Sequence, residues 1–277
     1  MATATQTRLV SENIKPNIGA RILNTREELL SGALAGEIRE LIEQRGVLVF
    51  PKINFTDEEQ VAFTSQLGTF MPEHEGQDVF NISLDPEVNP SRDYLKGSLY
   101  WHADGTMNPL PIGYALLSSR VLPTWGGNTE FCNTYAAYEA LPDDMKAKLE
   151  GLKVMHSAWT TLFYYDPEPE QEILERMMGI GDKELPIVWT HKSGRKSLVL
   201  GCTANHVVGM DWTESARLLH QLRNIATSDP FHYSHEWSVG DCVMWDNSGT
   251  MHRACPYDPD CGRLLVRTKT GGDEPIQ

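Results

Sequence analysis

The sequence predicts a mainly β architecture, a sandwich or barrel in one domain with its helices packed outside. Short runs of β-forming residues recur between turn signals from residue 47 to residue 270. Helical patterns gather in the first quarter and in single later excursions, and no internal repeat or low-complexity linker interrupts the chain. A length of 277 residues suits one all-β unit and is enough to bury a real core.

Thr25-Arg26-Glu27-Glu28 reads as a capping box, in which the hydroxyl accepts from a backbone N–H three residues on and the carboxylate reaches back. The apolar periodicity behind it predicts a helix over 26–45, stopped by Gly46. Val47-Leu48-Val49-Phe50, closed by Pro51, is the continuous apolar run of a buried strand. A second box, Thr56-Asp57-Glu58-Glu59, opens a helix that stops near Gly68. Residues 69–99 turn to Pro, Asp, Asn, Glu and Ser and read as loop with one strand at 79–83; loops of this length in compact domains are usually functional. Strands are expected at 113–117 and after the Gly126-Gly127 turn, and Pro142 starts a short helix closed by Gly151. Residues 164–184 are a second polar insertion, so lid-like loops are expected near 69–99 and 160–185. Strand-like stretches at 186–190 and 197–201 flank a Gly194 turn, and a helix spans 213–226. Strands at 232–237, 242–245 and 263–270 close the chain, and residues 1–277 read as a single domain.

Composition narrows the function. An apolar fraction of 40% and a charged fraction of 22% are ordinary globular values. A formal net charge of −14 argues against nucleic-acid or anionic-membrane partners, which need a basic face. Five scattered cysteines without any C-x-x-C disfavour a disulfide framework and a structural zinc site, leaving reduced thiols and a cytoplasmic location as the expectation. The N-terminus lacks the apolar core of a signal peptide, and no apolar run approaches the roughly 20 residues of a membrane span.

The chemistry centres on Trp101-His102-Ala103-Asp104. Residues i and i+2 of an extended chain share a face, so His102 and Asp104 can grip one ion. With a third ligand far downstream, His252, the set is the 2-His-1-carboxylate triad, which leaves coordination positions open for a co-substrate and oxygen. Near the C-terminus, Arg263-Leu264-Leu265-Val266-Arg267 alternates, placing both arginines on one strand face. An unpaired buried guanidinium is costly, and its planar fork suits carboxylates. Arg263 and Arg267 lie four residues apart, roughly 13 Å by strand rise, and should therefore serve two anions. Serine hydrolase, NTPase and Rossmann readings lack G-x-S-x-G, P-loop and G-x-G-x-x-G motifs. A metal-dependent hydrolase could share the triad and would not explain Arg263.

His102-x-Asp104, His252 and Arg263, together with Gly46 to Phe50, Gly126-Gly127-Asn128-Thr129-Glu130-Phe131 and Gly240-Asp241-Cys242-Val243-Met244-Trp245-Asp246-Asn247, resemble the iron(II)- and 2-oxoglutarate-dependent dioxygenases. In detail they resemble the branch containing taurine dioxygenase and the herbicide-cleaving 2,4-dichlorophenoxyacetate dioxygenase, over nearly all of the chain. The resemblance implies a double-stranded β-helix (jelly-roll) barrel. It implies iron(II) on His102, Asp104 and His252, and 2-oxoglutarate as co-substrate with its distal carboxylate on Arg263 and Thr129. O2 is consumed, and succinate and CO2 are co-products. Arg267 falls where relatives hold the substrate's acidic group, and His74 near a substrate-contacting region. The implied substrate is a small carboxylate or sulfonate whose C–H bond is hydroxylated or oxidatively cleaved, and the implied assembly a dimer or tetramer. Where the herbicide-cleaving relatives carry two histidines, between Gly201 and Gly209, this chain has Thr203 and His206. The competing class is a non-catalytic sensor or binding protein that keeps the barrel, iron and 2-oxoglutarate without turnover.

Overall fold

The computed structural model describes residues 7–89 and 92–277; the sequence reading of residues 1–6 lies outside the described residues. In chain order the strands are β1 (Ser11–Asn13), β2 (Ala20–Ile22), β3 (Val47–Phe50), β4 (Phe80–Ile82), β5 (Ile112–Val121), β6 (Thr129–Asn133), β7 (Lys153–Ser157) and β8 (Asp182–Pro186). They continue as β9 (Val188–Thr190), β10 (Lys196–Leu198), β11 (Ala204–Val207), β12 (His232–His235), β13 (Cys242–Asp246), β14 (Thr250–Ala254) and β15 (Leu264–Gly271). The large sheet has the order β1-β2-β3-β13-β5-β15-β4, and the strands β12-β6-β14 form a smaller one. This is the jelly-roll architecture with flanking helices.

The period-two alternation of β3 decides what covers each face of the large sheet. Val47 and Val49 join Ala115, Val243, Trp245 and Leu265 in a cluster that also takes in Phe131 of the small sheet, whose ring centroid lies 5.6 Å from that of Trp245. Leu48 and Phe50 point the other way, with Leu116 and Met244, into a layer made by Ile38, Ile42, Phe63 and Leu67 of two helices, Ala35–Arg45 and Asp57–Leu67. The site therefore sits between two sheets whose backs are already covered.

Both capping boxes form, Thr25 with Glu28 and Thr56 with Glu59. The helix expected over 26–45 is two, Arg26–Leu30 and Ala35–Arg45, because Gly32 takes the left-handed conformation (φ 78°) and the Ser31 hydroxyl accepts from the Ala33 N–H. Gly46 ends the second as expected, at φ 71°. A third sheet, β11-β7-β8, was not anticipated from the sequence, and the helix Trp212–Ala226 packs near it through Val154, Val207, Leu218 and Leu222. Among the described residues no helix is long and apolar enough to cross a membrane.

Candidate active site

His102 is not on a strand of its own. An isolated antiparallel bridge pairs it with His252 of β14: the His102 N–H donates to the His252 carbonyl (3.1 Å), and the His252 N–H donates back (2.8 Å). This bridge, rather than a strand through 101–104, brings residues 150 positions apart together, and the imidazole centroids stand 4.1 Å apart. Asp104 follows in a turn, where its N–H donates to the Asn247 side-chain oxygen (3.1 Å), an atom that also accepts from the Trp245 indole (3.1 Å). Asp104 Oδ1 lies 3.7 Å from His102 Nε2, and Oδ2 lies 3.9 Å from His252 Nε2. One ligand atom from each of the three residues falls within 4.8 Å of the others.

The protonation states suit a cation. His102 Nδ1 is 2.7 Å from the Tyr100 carbonyl, which requires a proton on Nδ1 and leaves the Nε2 lone pair for a metal. Burial, then the neighbouring His102, pushes His252 down to about 3, so it is neutral at ordinary pH. Burial would raise Asp104, but Arg267, His252, His102 and Lys269 outweigh it and hold the carboxyl at about 2. A carboxylate, a neutral His252 and the free Nε2 face of His102 thus converge, as binding of a divalent ion demands.

β6 runs beside β14 with Phe131 opposite His252 and Thr129 opposite Ala254, so Thr129 and Phe131 share the face toward the triad. Thr129 is buried and accepts from the Trp237 indole (3.1 Å). Arg263, only 3% exposed, donates from Nη2 to the Gly127 carbonyl (3.0 Å) and lies over the Tyr257 ring at 4.5 Å. Its Nε is buried with no partner. Gly127 makes room for it: at φ 75° a side chain is disfavoured, and a Cβ would meet Arg263 Nε at 3.3 Å and Pro123 at 2.9 Å. An orphaned buried guanidinium donor held at Gly127, two residues along the chain from the buried Thr129, fits the far carboxylate of a dicarboxylic acid.

The remaining two expectations fare differently. His74 lies exposed in a tight turn closed on Gln77, whereas its neighbour Glu73 turns inward, since adjacent residues of an extended chain face opposite ways. Glu73 binds Arg267 through both oxygens (3.0 and 3.1 Å) and Lys269 Nζ at 2.6 Å. Arg267 therefore has an internal carboxylate partner, and its Nη1 also approaches Asp104 Oδ2 at 3.4 Å. The sequence reading missed Glu73 and Lys269. The charge on Lys269, two residues beyond Arg267 and so in step with it and Arg263, was the available signal.

A cavity of about 280 Å³ opens beside His102 and Asp104, walled by Met107, Ala158, Met177, Ile180, Thr161 and Thr203 among others. A larger one of about 440 Å³, near Tyr135, Asp246 and Glu274, contains no member of the triad.

A jelly-roll fold that brings two imidazoles and a carboxylate within 4.8 Å of one another is the arrangement of a non-haem iron oxygenase. The chain belongs to the family described as taurine catabolism dioxygenase TauD, TfdA, whose model matches residues 11–269. It is 35% identical over 273 residues to an alpha-ketoglutarate-dependent 2,4-dichlorophenoxyacetate dioxygenase of Cupriavidus pinatubonensis, covering 92% of this chain and 94% of that one. It is also 35% identical over 238 residues to an (S)-phenoxypropionate/alpha-ketoglutarate-dioxygenase of Sphingobium herbicidovorans, covering 82% of each. Among solved structures, AAD-2 in complex with Mn(II) and N-oxalylglycine superposes with a TM-score of 0.84 at 31% identity, covering 97% of this chain and 99% of that one. The chain is accordingly a 2-oxoglutarate-dependent non-haem iron dioxygenase that uses iron(II), 2-oxoglutarate and O2.

Proposed function

We propose that this dioxygenase oxidises a C–H bond of a small anionic organic molecule, hydroxylating it or cleaving it when the attacked carbon bears an ether or sulfonate group. The observation that carries the reading is the triad together with the orphaned Nε of Arg263, a metal site and a carboxylate site on one barrel face. His102, Asp104 and His252 would hold iron(II); Arg263 and Thr129 would hold the distal carboxylate of 2-oxoglutarate. Bound there, the pair supplies the oxidising power from O2, with succinate and CO2 released. The protein's own work is ligation, orientation and exclusion of water.

Phe131, Trp245 and the neutral His252 close the inner side of the site with apolar rings, 6.2 and 4.7 Å from the His252 ring. Segments near 69–99 and 160–185 supply Glu73 on one side and Met177 and Ile180 on the other, and act as lids in this reading. Support for an anionic substrate comes from the relatives' names, which refer to phenoxy acids. A cytoplasmic location with its five thiols reduced, and a homo-oligomer measurable by light scattering, complete the proposal. The test is succinate release over aryloxyalkanoates, alkyl sulfonates and other small carboxylic acids. At least one acid should raise succinate well above the substrate-free rate, with product in equal amount; a flat response across the panel sinks the anionic-substrate reading.

A further inference from the structure

A carboxylate two residues beyond the His102–His252 bridge stays at the metal position only if the turn that carries it is held. Asn247 holds it: its Oδ1 accepts from the Asp104 N–H and from the Trp245 indole, both at 3.1 Å. Two N–H donors on one oxygen fix which way the amide faces, because the flipped amide would set its NH2 against both. Asn247 is itself anchored, its N–H donating to the Gly113 carbonyl at 2.9 Å. It belongs to the turn that joins β13 to β14, the strand that carries His252. Asp246 locks that turn: its side chain accepts from the Ser248 N–H (2.9 Å), and its carbonyl from the Gly249 N–H (3.2 Å) and the Thr250 hydroxyl (2.7 Å). One residue thus ties the Asp104 turn to the His252 strand. The other half of its amide is idle: among the described residues Nδ2 has no partner, in a residue 5% exposed. A buried donor without a partner is costly, so the reason for an asparagine here lies in its oxygen.

We propose that Asn247 is a positioning residue for the metal site, acting through the Asp104 backbone rather than on the ion. The assignment rests on the triad reading above. Asp104 Oδ1 and Oδ2 lie 3.7 Å from His102 Nε2 and 3.9 Å from His252 Nε2, distances that one ion can span. A cation already competes for the same carboxylate, since Arg267 Nη1 is 3.4 Å from Oδ2. A turn released from Asn247 lets the carboxylate swing toward that guanidinium and away from the imidazoles, and metal affinity falls. Groups that orient a ligand without touching the metal are commonly worth ten- to a hundredfold in that affinity.

Binding of Mn(II) to metal-free protein, followed by loss of the free-ion EPR signal, is compared in wild type, Asn247→Leu, Asn247→Asp, Trp245→Phe and Asp104→Ala, with the Tm of each metal-free protein. Asn247→Leu removes the acceptor and should raise the Mn(II) Kd tenfold or more. Asn247→Asp keeps the acceptor, adds a charge that does not oppose a cation, and should return Kd to within about threefold of wild type. Trp245→Phe removes the other N–H on the same oxygen and leaves the Asp104 contact, so its Kd should also stay within about threefold; a general loosening of the fold would instead raise Kd in both, in step with their Tm. Should Asn247→Leu fail to fold, Asn247→Ala has the same expected outcome. A rise of less than tenfold on loss of the acceptor, no recovery in Asn247→Asp, or a rise in Trp245→Phe as large as in Asn247→Leu overturns the assignment. If Asp104→Ala binds Mn(II) as wild type does, the triad reading fails and takes the assignment with it. If Asp104→Ala loses the ion while Asn247→Leu keeps it, the triad stands and Asn247 alone is misassigned.

Discussion

Glu73→Gln tests how the cations beside Asp104 are held. The Glu73 side chain is 5% exposed, Lys269 9% and Arg267 20%, so solvent screens this cluster little. The substitution keeps the shape and one acceptor oxygen but removes a charge that meets two cations, at 2.6 to 3.1 Å. Removing one partner of a buried pair costs about 3–5 kcal/mol, and the retained acceptor should return part of that, leaving a loss of about 2–4 kcal/mol. For a chain of this size that corresponds to a fall in Tm of roughly 4–12 °C. Thermal melts of wild type, Glu73→Gln, Arg267→Gln and the double variant supply the assay. The double-mutant cycle should give a coupling of about 1 kcal/mol or more, and it should survive added salt, because the pair is shielded from water. A Tm within 1 °C of wild type in Glu73→Gln, or additive single effects, would refute the reasoning.

Further outcomes follow from the same geometry. His102→Ala, Asp104→Ala and His252→Ala should each abolish succinate release while circular dichroism keeps the wild-type fold, since these side chains are assigned to the metal; full activity in any one would falsify the triad. Arg263→Gln should raise KM for 2-oxoglutarate by tens-fold, about 2 kcal/mol for a charge-assisted contact, and hardly move KM for the primary substrate; the opposite pattern would misplace the co-substrate. Burial, then Lys183, pushes His156 down to about 4 from an ordinary 6.5. Between those values the unfolded chain takes up a proton that the folded one refuses, so its contribution to stability is full above pH 6.5 and is lost as pH falls toward 4, by about 3 kcal/mol. The difference in unfolding free energy between wild type and His156→Phe should therefore shrink or grow by that amount from pH 7 to pH 4 in the direction that penalises wild type in acid, and a pH-independent difference would contradict it.

What the sequence made legible was local or chemically distinctive. Thr25 and Thr56 announced their helices because a capping box is complete within four residues, and His102, Asp104 and His252 were found because few residue types ligate iron. The break at Gly32 was missed because one glycine in an apolar-periodic run is read as tolerated until its φ is known. β7, β8 and β11 were missed because they are four or five residues long and carry polar residues such as His156 and Lys183, which hide the alternation. The strand reading of 101–104 placed the right residues together for an incomplete reason, since the bridge from His102 to His252 sets the geometry. Glu73 was invisible because its contact with Arg267 spans 194 positions, and no local pattern in the long loop distinguishes it from Glu75.

The decisive measurement is the visible absorption of metal-free protein titrated anaerobically with iron(II) in the presence of 2-oxoglutarate. Wild type should develop a weak metal-to-ligand charge-transfer band that saturates at one iron per chain, and His252→Ala should not develop it. No band in wild type, or an undiminished one in His252→Ala, would contradict a site built from His102, Asp104, His252 and Arg263.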